Sequence, residues 1–169
     1  ESAQLPRLAS LVVHVAAEHL GDAGRGMKQL DVLAHSSALG ADPDAASALE
    51  RARAVLEYFS GEPKKAEARR EANANPAWPT ESAWVEMLAT VSTAFANQGE
   101  YAKATSAFTA AVDKAAYKPG PKDPASRRLA ISGNNLACDL EEAKVRTPEM
   151  VELMKLAAAT AREWWEVAG

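Results

Sequence analysis

Three histidines, one cysteine and two adjacent tryptophans are the side chains of this 169-residue sequence whose chemistry has to be weighed first. In HVAAEH, His14 and Glu18 stand four residues apart, on one face of a helix, where a metal-binding pair is geometrically allowed. The order is not the H-E-x-x-H of zinc proteases, and on an α-helix His19 falls away from that face. The expectation is that His14 packs or hydrogen-bonds inside the fold, with no metal site, no cofactor and no catalytic residue. None of His14, His19 and His35 has a serine or cysteine partner at a recognisable nucleophile spacing. Cys138 lies between NNLA and DLEE, and the neighbouring Glu141 and Glu142 disfavour its thiolate. It is expected as an inert, buried or half-buried thiol. The glycines of LGDAGRGM lack the lysine and hydroxyl of a phosphate loop and follow no strand. EPKKAEARRE mixes both signs, with Glu67 and Arg70 one turn apart, and reads as a solvated helix face. Trp164 and Trp165 cannot both point inward from one helix. One is expected to pack on the preceding helix, and the other to cover the end of the core or meet a partner.

Composition narrows the classes. A net charge of -4 with 25% charged residues leaves no footprint for nucleic acid. No apolar run reaches the roughly 18 residues of a membrane span. One cysteine excludes an internal disulfide framework and fits a reducing, cytoplasmic setting. The chain opens at Glu1 and not at methionine, so a removed leader remains compatible with it. Hydrophobic residues make up 47% but aromatics only 6%, with alanine supplying much of the difference. Helices in close contact through small side chains suit that mixture better than a sheet.

The elements that must position these residues are helices. Asp42-Pro43, Asp123-Pro124 and Thr147-Pro148 are start signals, Thr80 is a further expected cap, and Gly61 is a stop. Leu49, Ala52, Leu56 and Phe59 form one apolar stripe at helical spacing. The pattern predicts an all-α chain of eight helices, over about 5–20, 24–39, 43–60, 63–73, 81–97, 100–117, 124–143 and 148–168. NANPAWP and KPGPKDP are the two longer breaks, and both are read as loops within one continuous domain.

A repeat underlies the helices. Leu88, Val91, Ser92 and Phe95 precede a turn at Gly99, and Tyr101, Ala104, Phe108 and Ala111 follow it. This spacing resembles the tetratricopeptide repeat (TPR), with Leu88 at the signature tryptophan and Ser92 at the signature glycine. Ser92 and Ala104 let two helices approach, and Gly99 suits a left-handed turn. Gly21 and Gly61 mark weaker copies, with Gly26, Leu30 and Leu33 after the first, and the NNLA run is typical of kinesin-light-chain variants. The elbow glycines lie 40 and 38 residues apart, against about 34 for the family.

The resemblance implies a right-handed solenoid of antiparallel hairpins, roughly 5–40, 43–74, 81–118 and 124–169, serving as a non-enzymatic protein-binding scaffold. Its groove-facing positions carry over to Val15, His19, Arg51, Val55, Tyr58, Thr93, Asn97, Asn134, Asn135, Cys138 and Glu141. Asparagines at these positions, followed by Glu141 and Glu142, favour a neutral or basic peptide or helix over a carboxylate-bearing one. Trp164 and Trp165 form a possible interface for a second copy. The alternatives are a self-associating structural protein and a metal-binding or enzymatic domain using His14 and Glu18.

Overall fold

The computed structural model describes residues 4–35, 42–73 and 80–169. These residues form eight helices and no strand. α1 (Leu5–Val13) runs on into a π-helical turn (His14–His19) and is followed by α2 (Ala23–Ala34). α3 (Pro43–Phe59) and α4 (Pro63–Ala72) come next, then α5 (Thr80–Asn97) and α6 (Tyr101–Lys114), which ends in a 3-10 turn at Ala115–Tyr117. α7 (Pro124–Glu141) and α8 (Pro148–Ala168) complete the chain. The sequence extends α2 to residue 39, which lies outside the described residues. Helix starts follow from side-chain chemistry. The carboxylates of Asp42 and Asp123 and the hydroxyl of Thr147 accept first-turn N–H groups, each with proline next in line. Thr80 is instead the first helical residue of α5.

The chain divides into two compact units, Glu1–Ala77 and Trp78–Gly169, with the boundary inside NANPAWP. In the first unit α1, α2 and α4 all pack on α3. α3 accordingly buries Ala45, Ala48, Leu49, Ala52, Ala54, Val55 and Leu56, far more than a one-sided stripe. Gly26 of α2 sits where helices nearly touch: a Cβ there would lie 2.7 Å from Leu56 Cδ1 and 2.8 Å from Ala16 Cβ. α4 offers little apolar surface, only Ala66 being a buried hydrophobic residue. It is held by charge. Arg69 donates to both carboxylate oxygens of the buried Glu57, at 2.8 and 2.7 Å, and to Glu50. Glu50 also accepts from Arg53 at 2.7 Å, and Arg53 reaches Asp31 of α2 at 2.8 Å. The charged run is therefore more than a solvated face, because its Arg69 neutralises a carboxylate that is only 2% exposed.

In the second unit α5 pairs with α6 and α7 with α8. The first helices, α5 and α7, lie side by side, and so do the second helices, α6 and α8. Between α5 and α6 the Ser92 hydroxyl donates to the Ala104 carbonyl at 2.8 Å, and both residues are fully buried. Small side chains permit that approach, and Phe108 and Phe95 fill the space beside it. Gly99 has φ +76°, the Glu100 N–H bonds the Phe95 carbonyl at 2.9 Å, and the Gly99 N–H bonds Ala96 at 3.0 Å. This is a Schellman closure. Gly61 repeats it, with φ +88° and the Glu62 N–H on the Glu57 carbonyl at 2.9 Å.

Candidate functional site

The face shared by α5 and α7 is built from two polar stripes. On α5, Glu86, Thr90, Thr93 and Asn97 recur at three- and four-residue steps, and none is buried. On α7, Asn134, Cys138 and Glu141 follow one another along its exposed side, with Asn135 next to them. Arg128 joins the two helices: its Nη2 donates to the Thr90 hydroxyl, which in turn donates to the Glu86 carbonyl at 2.8 Å. The Arg128 Nε is buried and has no hydrogen-bond partner. No carboxylate pairs with this guanidinium among the described residues, so a positive charge is held at the α5–α7 seam with donors to spare. Sequence reading passed over Arg128. The sequence offers only a weak negative hint, that no acidic residue stands three or four positions from it in either direction, and its Thr90 partner lies 38 residues away.

Thr93 donates to its own helix at Ala89, 3.2 Å away, while Asn97 is exposed. Asn134 and Asn135 are exposed and touch only at 3.5 Å, leaving most of their donors and acceptors to solvent. Glu141 is 3.8 Å from Arg146, whose Nε donates to the Leu140 carbonyl at 2.8 Å. Cys138 is exposed, a correction to the buried or half-buried thiol expected, because it lies on the outward stripe of α7.

The remaining candidates are differently placed. In the first unit Arg51 is half-buried and donates to Ser47 at 2.8 Å, Tyr58 is half-buried, and Val55 is buried in the core around α3. Val15 and His19 are exposed. Trp164 is 6% exposed with its indole N–H unpartnered, whereas Trp165 is 43% exposed.

His14 keeps the hydrogen bonding expected of it but not its place inside the fold, and His19 does not fall away from it. The π turn carries i→i−5 bonding, the Leu20 N–H meeting the Val15 carbonyl at 3.0 Å. That geometry brings His19 onto the face of His14, which α-helical spacing forbids. His14 Nε2 and His19 Nε2 are 3.0 Å apart, and His14 Nδ1 is 2.7 Å from Glu18 Oε2. The imidazole rings meet edge to face with centroids 4.5 Å apart. His14 is exposed, not packed inside, because the extra residue of the π turn moves the inward position to Val13. A shallow depression lined by Pro6, Arg7, Ser10, Leu11 and His14 lies alongside.

One further polar cluster pins the KPGPKDP loop. The Asp123 carboxylate accepts from Ser82, from the Tyr117 hydroxyl at 2.9 Å and from its own cap N–H. Burial, with the nearby Asp123 charge adding to it, pushes the Tyr117 phenol up to about 12, so it stays a proton donor to Asp123.

Comparison with known proteins finds no family, no curated protein and no solved structure that matches this chain. Among the described residues, no group of three or more His, Cys, Asp or Glu side chains is arranged to hold a metal ion, and no helix is long and apolar enough to cross a membrane.

Proposed function

We propose that the chain is a non-enzymatic, TPR-like interaction module that takes a peptide or helix of another protein on its α5–α7 face. The observation that carries this reading is Arg128, a cation without a carboxylate partner, seated where two neighbouring first helices meet. Asn97, Asn134 and Asn135 give the same helices exposed amide donors and acceptors suited to a partner's backbone. A guanidinium at the seam favours a partner that offers a carbonyl or carboxylate oxygen there, while Glu141 takes a basic side chain. This revises the preference for a purely neutral or basic segment. In the full reading the hairpins are turns of a right-handed solenoid, and the α5–α7 face is part of its concave wall. A cytoplasmic setting fits the exposed thiol of Cys138, which reducing conditions preserve.

Peptide-display selection against the whole chain tests it. Enriched peptides are expected to bind the native protein and to lose about tenfold or more with Arg128→Ala, the order expected for a charged hydrogen bond. An Asn97→Asp, Asn134→Asp double variant should weaken them as well. Peptides that bind all three proteins equally would remove the α5–α7 face from consideration.

Trp165 favours a second reading, self-association through the end of α8, because a large indole is left exposed there. Sedimentation over a concentration series, repeated with Trp165→Glu, separates the two. A native chain that stays monomeric at every concentration ends the second reading.

A further inference from the structure

We propose that His14 and His19 form a two-ligand site for a divalent late transition-metal ion of the copper(II) or nickel(II) kind, with Glu18 orienting the first ligand. On an α-helix of 3.6 residues per turn a five-residue step rotates about 500°, leaving such side chains about 140° apart. The π turn cancels that separation and brings the two Nε2 atoms to 3.0 Å. π-helical turns are rare and recur at functional sites.

The protonation pattern suits a metal. A carboxylate only accepts hydrogen bonds, so His14 Nδ1 donates to Glu18 Oε2 across 2.7 Å. When its ring is neutral, His14 then presents a lone pair at Nε2, and His19, in the tautomer that carries its proton on Nε2, can donate to it across 3.0 Å. A metal ion takes the place of that proton, and His19 carries its hydrogen on Nδ1 instead. Glu18 is then the outer carboxylate that fixes the tautomer and raises the basicity of a ligating histidine.

The spacing also suits such an ion. Two nitrogens 3.0 Å apart, each about 2.05 Å from a metal, subtend about 94° there. That is close to the right angle of square-planar or octahedral centres and short of the tetrahedral angle zinc prefers, which needs about 3.3 Å. Both histidines are exposed, so the ring rotations that turn their two lone pairs toward one ion disturb no core contact, and water completes the coordination. The site uses no residue of the α5–α7 face and does not depend on the proposed peptide binding.

The test is calorimetric titration of nickel(II) into the full chain carrying Cys138→Ser, which removes the exposed thiol as a competing ligand. One ion per chain is expected. His14→Gln and His19→Gln should each abolish saturable binding, Glu18→Ala should weaken it about 10–100-fold, and His35→Gln should leave it unchanged. Circular dichroism melts without metal report whether each variant still folds, and paramagnetic broadening of the His14 and His19 ring protons in the native chain gives a reading that needs no variant. Equal binding by the His14 and His19 variants, loss of binding on changing His35, or no saturable heat at millimolar nickel would each overturn the site.

Discussion

The elbows at Gly21 and Gly99 share a glycine with positive φ, +62° and +76°, and yet they close differently. At Gly99 the chain turns after a regular α-helix, and the Glu100 N–H reaches back five residues to Phe95. At Gly21 the Asp22 N–H reaches back six residues to Ala16, at 2.8 Å, because the π turn has inserted one residue. Everything before the insertion rotates. Seven positions ahead of its glycine, Ser92 is fully buried, whereas His14 at the same count is exposed and Val13 takes the inward place. A single extra residue thus converts a packing position into a surface histidine pair. The lesson is that repeat alignment assigns burial only where the helical period is kept.

The two units differ as well in what holds a second helix to its first. α6 is held on α5 by small side chains and the Ser92–Ala104 bond, whereas α4 is held on α3 by Arg69 reaching Glu57 and Glu50. Arg69→Met should show the largest effect, about 3–5 kcal/mol in urea unfolding, because it strands a buried carboxylate. Hydrogen exchange should quicken first in α4, and an effect below 1 kcal/mol would mean that Lys65, 3.6 Å from Glu57, compensates. On the apolar side, Ala104→Leu should cost about 1–3 kcal/mol by overpacking. A neutral result there would show that the α5–α6 contact yields.

Tyr117 contributes less, and its contribution is lost only at alkaline pH. Its folded pKa of about 12 stands above the usual 10.0, so the fold prefers the neutral phenol. The resulting stabilisation is complete below about pH 10 and is lost as pH rises through about 12. Ultraviolet titration of the phenolate should resolve this late step, and Tyr117→Phe should remove it. The smallest effect belongs to Asp31→Ala. That carboxylate is 59% exposed at the outer end of the ionic chain, so its loss should cost under about 1 kcal/mol. High salt should erase this difference while leaving most of the Arg69 effect, since screening acts on exposed charges. Equal salt sensitivity of the two variants would break the distinction between the inner and outer parts of the network.

Much of the helical layout was legible in the residues. Asp-Pro and Thr-Pro starts and glycine stops act within a few residues of themselves, so local chemistry places the starts of α3, α7 and α8 and the stop of α3 without knowledge of the fold. The glycine at 99 and the small pair Ser92 and Ala104 were equally readable, since one demands positive φ and the others close approach. Arg69, Arg128 and the His14–His19 pair were not. The Arg69 partners lie 12 and 19 residues away and the Arg128 hydroxyl acceptor 38 away, distances no helical period reports. The histidine pair depends on a π turn that the α-helical period conceals.

Sequence by itself determined that this protein is helical, where most of its helices start and stop, and which glycines turn the chain, because capping and backbone sterics are local. Tertiary structure alone decided which charges are buried, that a half-buried arginine at the α5–α7 seam is left without a carboxylate, and which histidines meet. Those outcomes depend on the desolvation of groups brought together from distant positions and on one residue of helical register.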